Sequence, residues 1–172
     1  LFLVLGLMQG GAAAAQELSW FDGNGPKAEA WQAIDVLSAA AEEGLDAGHY
    51  GAEPLRRAFG AAKNDPALPA ESVAQLDNEL TAAMLRYLSD VHFGQIDPRR
   101  ISENFSVRLP NGFNPAFLLQ SVVRENRLGE AAILAAPPLP LYANLRLALA
   151  HYRKLAGDPV FSQLWQTPLP PL

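Results

Sequence analysis

Apolar residues recur at steps of three and four along much of this chain, which is the spacing of one face of an α-helix. The longest such pattern covers residues 70–93 and predicts the longest helix of the fold. Gly94 follows as its stop, because glycine readily adopts the positive φ that ends a helix. The apolar face of this helix is predicted to consist of Val73, Leu76, Leu80, Met84, Tyr87 and Val91.

Proline and glycine residues also delimit helices in the first third of the chain. A first helix is predicted over residues 26–43, with Pro26 as its first residue and Gly44 as its stop. A second, shorter helix begins at Pro54 and ends at the Pro-containing stretch 63–69. The first helix is expected to bury Trp31, Ile34, Leu37 and Ala41.

The same signals continue in the last third. Asn114 before Pro115 is typical of a helix start, and Gly129 is predicted to end that helix. After a short turn, a final helix is predicted over residues 140–157. It is expected to bury Tyr142, Leu145, Leu149 and Tyr152. No alternation typical of β-strands is evident, so we predict an all-α fold, a single irregular multi-helix bundle.

Three charged residues surround Gly94 at the border of the long helix's apolar face. Asp97 is predicted to cap a new helix, with Pro98 as its first residue. Arg86 and Asp90 lie four residues apart, in the weaker order for a solvated ion pair. Two interpretations stay open for this set, a structural clasp that holds the turn or a surface that contacts a partner domain or ligand.

Composition narrows the class of protein. The chain has 172 residues, of which 49% are hydrophobic and 18% charged, so it is long and apolar enough for one folded domain. Its formal net charge is -5 and its basic residues form no cluster. A nucleic-acid binder would need a basic stripe to neutralise phosphates, so this class is disfavoured.

Candidate catalytic chemistry is sparse. The chain has no cysteine, and His49, His92 and His151 are isolated from other ligand-type residues at metal-binding spacing. Glu42 and Glu43 are adjacent, which points them about 100° apart on a helix, and we interpret both as solvated. We therefore predict no catalytic residue, cofactor or metal. A hydrolase that uses the scattered histidines and carboxylates is the alternative from another class.

The beginning of the chain is typical of an exported protein. An apolar run over residues 1–8 and the alanines at 13–15 predict a signal peptide over residues 1–15 that lacks its basic start. A hydrophobic helix of the fold is the alternative. The remaining chain divides into a lead at 16–25, a helical domain at 26–157 and a Pro-rich linker or tail at 158–172.

Three motifs together resemble a known family. Residues 86–99 read Arg-Tyr-x-x-Asp-x-x-x-Gly-x-x-Asp-Pro-Arg, and residues 138–153 read PLPLYANLRLALAHYR. Residues 44–50, GLDAGHY, are similar to a signature usually read as Gly-Leu-Asp-Pro-x-x-Tyr. Their order resembles that in the helical scaffold domain of large, multi-domain bacterial L,D-transpeptidases.

The resemblance implies a non-catalytic scaffold portion of a periplasmic enzyme that cross-links peptidoglycan. Partners in that family are the catalytic domain, which uses a cysteine nucleophile, and a peptidoglycan-binding module, both in the same protein. Peptidoglycan itself is a further expected partner. Localisation is expected to be periplasmic, or at the inner membrane if the signal stays uncleaved.

The candidate structural or docking residues lie on these motifs. They are Arg86, Tyr87, Asp90, Asp97, Tyr142 and Arg153. The alternative function is that of a stand-alone periplasmic helical protein that binds cell-wall fragments or regulates a transpeptidase.

Overall fold

The computed structural model describes residues 18–65, 67–96 and 112–160, and its architecture over these residues is all-α. Six α-helices occur within these ranges, together with one hairpin of two very short strands. The helices are α1 (Ala28–Ser38), α2 (Ala52–Lys63), α3 (Ala70–Phe93), α4 (Pro115–Arg124), α5 (Ala131–Ala135) and α6 (Pro140–Ala156). Short 3₁₀ turns link them at Ala39–Glu43, Ala47–Tyr50 and Leu128–Glu130.

One hydrophobic core joins the first five helices. Helix α3 packs against α1, α2, α4 and α5, and it contributes the largest set of buried side chains. That set is Leu80, Met84, Tyr87, Leu88 and Val91, so the predicted apolar face is confirmed in its second half. Val73 and Leu76 at the start of α3 are only partly buried. The core therefore lies toward the C-terminal half of α3, next to Gly94.

A hairpin that sequence alternation did not predict begins in the expected lead at 16–25 and ends one residue beyond it, at Pro26. Strand β1 (Phe21–Asp22) pairs antiparallel with β2 (Gly25–Pro26), and Phe21 lies opposite Pro26. Pro26 is therefore a strand residue and not the first residue of a helix, which corrects the sequence-based start of α1. Two-residue strands are too short to show a period of two, so the pattern could not reveal them.

Trp20, next to this hairpin, is fully buried and anchors the segment on α3. Its backbone N–H donates to Asp77 Oδ1 at 2.7 Å, and its indole Nε1–H donates to Thr81 Oγ1 at 2.9 Å. The polar end of the ring thereby keeps a partner while the apolar body enters the core.

The first predicted helix changes geometry near its end. It is α-helical only to Ser38 and continues as the 3₁₀ turn Ala39–Glu43. Ile34 and Leu37 are buried as predicted, whereas Ala40 is buried in place of Ala41, which is exposed. A 3₁₀ turn has three residues per turn, so it shifts which side chain faces inward. Gly44 ends the turn with φ 81°, as predicted.

Helix ends elsewhere follow the predicted signals in part. Gly94 follows α3 with a positive φ of 83°, and Asn114 caps α4 by accepting from the backbone N–H groups of residues 116 and 117. Helix α4 ends at Arg124, earlier than the predicted stop at Gly129, and α2 starts two residues before Pro54. Asp97, with the predicted new helix, lies outside the described residues, as do the predicted signal peptide and most of the predicted tail.

Helix α6 differs most from expectation. Its bounds match the prediction, but within the described ranges none of its side chains is fully buried. Leu145 is 59% exposed and Tyr152 is 69% exposed, so their predicted burial is wrong. Helix α6 packs chiefly against the 3₁₀ turn Ala39–Glu43. None of the described helices is both long enough and apolar enough to cross a membrane.

Candidate functional site

The 3₁₀ turn Ala47–Tyr50 presents the tyrosine of the first motif to α3. Asp46 starts this turn by accepting from the backbone N–H of Gly48 at 2.9 Å, and Gly51 ends it with φ 62°. These two signals turn the chain so that Tyr50 is buried against α3. The ring of Tyr50 meets that of Tyr87 edge to face, with centroids 5.4 Å apart.

The hydroxyl of Tyr50 joins the first motif to the second. It donates to Asp90 Oδ2 at 2.8 Å. Gln95, just beyond Gly94, donates through Nε2 to the Tyr50 hydroxyl at 2.9 Å and to Asp90 Oδ2 at 3.2 Å. The side chains of Tyr50, Asp90 and Gln95 thus form a closed network that connects the end of α3 with the chain that follows it.

Arg86 and Asp90, four residues apart on α3, do not form an ion pair with each other in the described part of the chain. Arg86 Nη1 instead donates to the carbonyl oxygen of His49 at 3.5 Å, a long contact. Asp90 instead accepts from the part-buried hydroxyl of Tyr50. Arg86 and Asp90 therefore both contact the 46–50 segment, but through different atoms and without meeting.

A second network fastens α6 to the 3₁₀ turn Ala39–Glu43, and we call it the Glu43 clasp. It consists of Glu43, Tyr142, Arg146 and Arg153. The side chain of Glu43 is only 3% exposed. Its Oε2 accepts from the hydroxyl of Tyr142 at 2.7 Å, and its Oε1 pairs with Arg146 Nη2 at 2.7 Å.

The remaining member of the clasp, Arg153, lies about two turns further along α6 than Arg146. Arg153 Nη1 donates to the carbonyl oxygen of Ala41, in the same 3₁₀ turn. Leu149 lies beside Gly44, where an added Cβ would come within 3.6 Å of Leu149 Cδ2. The Nε of Arg146 is buried and has no acceptor among the described residues. A buried carboxylate with a tyrosine and an arginine thus holds a helix that apolar burial does not hold.

Three tyrosines in these networks are stabilised in their neutral form. Burial raises the pKa of Tyr50, and the adjacent Asp90 carboxylate raises it further. Burial likewise raises the pKa of Tyr142, with the hydrogen bond to Glu43 as the next cause. For Tyr87 burial is again the main cause of a raised pKa, and the charge of Glu43 adds to it. The hydroxyls of Tyr50 and Tyr142 therefore serve as hydrogen-bond donors, to Asp90 and Glu43.

An open groove of about 500 Å³ runs beside the clasp. It is lined by Glu42, Ala143, Arg146, Leu147, Ala150 and Arg153. Its floor is built from small and apolar side chains of α6, with charged groups at its edges. Within the described residues, no group of three or more histidine, cysteine, aspartate or glutamate residues could hold a metal ion.

The structure brings five of the six candidate residues to one region. Tyr87 is buried between the two networks, where its pKa responds to Glu43 and its ring meets Tyr50. Tyr142 and Arg153 belong to the clasp, and Arg86 and Asp90 contact the 46–50 segment. The sixth candidate, Asp97, lies outside the described residues.

Sequence reasoning missed three participants, Glu43, Arg146 and Gln95. Glu43 was interpreted as solvated, and the structure corrects this, because its side chain is buried against two donors. The available signal was the spacing of Tyr142 and Arg146, four residues apart on one helix face. That spacing predicts a shared acceptor but does not say which carboxylate supplies it.

Comparison with known proteins then places the chain. A family model described as the Scaffold domain matches residues 12–149, which is most of the sequence. The chain belongs to the Scaffold domain family. Comparison with curated proteins and with solved structures gave no match. The Scaffold domain match includes Tyr50, Asp90 and Gln95 and, of the Glu43 clasp, Glu43, Tyr142 and Arg146, whereas Arg153 lies beyond the matched residues.

Proposed function

We propose that this Scaffold domain is the non-catalytic scaffold portion of a periplasmic L,D-transpeptidase and supports peptidoglycan cross-linking and cell-wall remodelling. One observation carries the proposal. The three motifs that resemble the transpeptidase scaffold lie far apart in sequence, yet Tyr50 of the first donates to Asp90 of the second. Side chains of the third bind Glu43 and the carbonyl oxygen of Ala41, just before the first motif. A role in catalysis is not needed to explain them, since each contact fastens one helical element to another.

The chemistry of the site supports a scaffold and not a catalyst. The tyrosines are held neutral and donate to Asp90 and Glu43, so these carboxylates are occupied as acceptors. His92 makes contacts of another kind. His92 Nδ1 lies 2.8 Å from the carbonyl oxygen of Ala135, and its ring stacks on that of Phe113. The sequence has no cysteine for an acyl-enzyme.

In the proposed enzyme, a separate domain provides the reacting thiolate. Its cysteine attacks a stem-peptide carbonyl and releases the leaving amine, and the amine of a neighbouring stem then displaces the thiolate. The scaffold positions that domain on the substrate. It speeds the reaction by orienting the reactants, and it makes or breaks no bond itself.

The test mixes this chain with a separately produced L,D-transpeptidase catalytic domain. We expect a one-to-one complex by size-exclusion chromatography with light scattering, and faster cross-linking of purified peptidoglycan than with the catalytic domain alone. In intact-mass spectra after carbapenem treatment, the adduct should appear on the catalytic domain and not on this chain. Absence of a complex would contradict the proposal. Binding of soluble cell-wall fragments by this chain alone would instead favour the stand-alone protein.

A further inference from the structure

A second groove, of about 480 Å³, lies between α2 and α3, and we call it the α2–α3 groove. Glu79, Ala82, Ala83 and Arg86 line it from α3. Glu79 and Arg86 are seven residues apart, so they lie on one face of the helix, roughly 10 Å apart along its axis. The α3 wall therefore has a carboxylate at one end, a guanidinium at the other and small side chains between them.

The wall formed by the start of α2 is apolar. It consists of Gly51, Pro54, Leu55 and Ala58, which follow the spacing of one helix face. None of these residues has a hydrogen-bonding group in its side chain. The α2–α3 groove can therefore select a ligand by charge at its two ends and by shape between its walls.

The 3₁₀ turn Ala47–Tyr50 lies at the arginine end of this groove. His49 and Tyr50 line the groove there, and the carbonyl oxygen of His49 accepts from Arg86 Nη1 at 3.5 Å. The hydroxyl of Tyr50 is already engaged, because it donates to Asp90. Among the described residues, Arg86 makes no hydrogen bond besides this long one, so most of its N–H donors are available to a ligand.

Glu79 also keeps its charge available. Its Oε1 accepts from Gln75 Nε2 at 2.9 Å, and this neutral donor leaves the negative charge of the carboxylate uncompensated. Within the described chain, Glu79 and Arg86 pair neither with each other nor with another charged side chain. Opposite charges on an open helix face are ordinary, but these two border one concave surface, so a single ligand can reach both.

A ligand with charge of only one sign would meet repulsion at one end of the groove. A ligand that carries both signs, separated by roughly 10 Å, would be attracted at both ends. An extended peptide spans about 3.3–3.6 Å per residue, so about three residues cover this distance. Small side chains fit best, because alanines and a glycine form much of the two walls.

We propose that the α2–α3 groove binds a peptide of about three small residues with both termini free. The carboxylate of the peptide meets Arg86, whose guanidinium can bind it through two N–H groups, and the ammonium of the peptide meets Glu79. This site goes beyond the proposed function and does not depend on it, because α2, α3 and the 3₁₀ turn form the groove within this chain.

The experiment titrates the ¹⁵N-labelled chain with trialanine and follows its amide signals by NMR. Amides of residues 58, 82 and 83 should shift until they saturate. Arg86→Gln and Glu79→Gln should each weaken binding about three- to tenfold, because each removes one charge partner at a partly solvated rim. The same spectra verify that each variant folds.

Matched controls remove the same charges from the same helices outside the groove. Arg57→Gln on α2 and Glu71→Gln on α3 change exposed residues that do not line it, and binding of trialanine should be unchanged. If these variants weaken binding as much as Arg86→Gln and Glu79→Gln do, the attraction comes from the overall charge and the proposal is overturned. Absence of a saturable shift in the wild-type chain overturns it as well.

Blocked peptides test each end of the ligand separately. Trialanine amide has no carboxylate, so it should bind the wild-type chain more weakly than trialanine does, and Arg86→Gln should weaken it no further. Acetyl-trialanine has no ammonium and should give the same result with Glu79→Gln. A purely structural role of Arg86 or Glu79 would weaken all three peptides alike.

Equal binding of trialanine and either blocked peptide by the wild-type chain would overturn the two-ended site. Trialanine is not a cell-wall fragment, and none of these titrations contains a catalytic domain. The peptide site and the proposed function can therefore fail independently of each other.

Discussion

Helices α3 and α6 have similar apolar periodicity in sequence and opposite environments in the fold. Helix α3 buries five side chains, among them Met84 and Leu88, between the helices around it. Helix α6 buries none fully and is held by Tyr142, Arg146 and Arg153 through the Glu43 clasp. Helical periodicity therefore predicts that a helix forms. The surface against which the helix packs decides whether apolar burial or hydrogen bonding holds it in place.

The two modes of attachment have different consequences. Apolar burial in α3 is shared among many neighbours, so its loss affects the whole domain. The clasp on α6 depends on a few directed contacts, to the carboxylate of Glu43 and the carbonyl oxygen of Ala41, so its loss should release one helix and leave the core folded.

The largest effect is expected in the core. Leu88→Ala should lower the free energy of unfolding by about 2–5 kcal/mol, because Leu88 is fully buried and its removal leaves a cavity. The matched change on the other helix, Leu145→Ala, should stay within about 0.5 kcal/mol because that side chain is already exposed. Urea unfolding followed by circular dichroism measures both. Equal losses would show that α6 belongs to the core.

Breaking the Glu43 clasp is expected to lower stability less and mainly around α6. Glu43→Ala removes the acceptor of both Tyr142 and Arg146, at a cost of about 1–3 kcal/mol. Hydrogen–deuterium exchange of α6 amides should accelerate roughly 5- to 150-fold, which is the same energy expressed as a rate ratio. Amides of α3 should keep their protection. Glu42→Ala is the control, since Glu42 lines the groove but takes no part in the clasp.

An outcome in which α3 and α6 lose protection together would contradict this separation. It would mean that the clasp stabilises the whole domain and not one helix. Faster exchange in the Glu42→Ala variant would also count against it, because that change leaves both hydrogen bonds to Glu43 in place.

The smallest effect concerns pH. The folded-state pKa of Tyr142 is raised by burial, so the tyrosine contributes stability that is fully present below its unfolded pKa of about 10. That contribution is lost as the pH rises through the folded-state pKa. The urea midpoint should therefore fall above about pH 10, and Tyr142→Phe should make the fall slightly shallower, with Tyr50 and Tyr87 accounting for the rest. An identical pH profile for the variant would exclude Tyr142 as a contributor.

Much of the helical framework could be predicted from the chain. The bounds of α3 and the start of α4 follow from local signals, namely a period of 3.6, a glycine at positive φ and an asparagine cap. The hairpin at Phe21–Asp22 could not be predicted, because a two-residue strand has no period. The candidate site could be predicted only in part. The motif spacing indicates Tyr142 as a candidate residue, but it does not indicate Glu43 as the acceptor of its hydrogen bond.

The sequence by itself determined the helices, because capping and periodicity act within a few residues. It also determined the family resemblance, through motifs at fixed spacing. Only the tertiary structure decided that Asp90 accepts from Tyr50 and not from Arg86, and that Glu43 is buried. The physical reason is that folding brings a particular donor close to each carboxylate. Burial then removes the water that would otherwise bind that donor. Here the two donor–acceptor pairs, Tyr50 with Asp90 and Tyr142 with Glu43, are separated by 40 and 99 positions in the sequence.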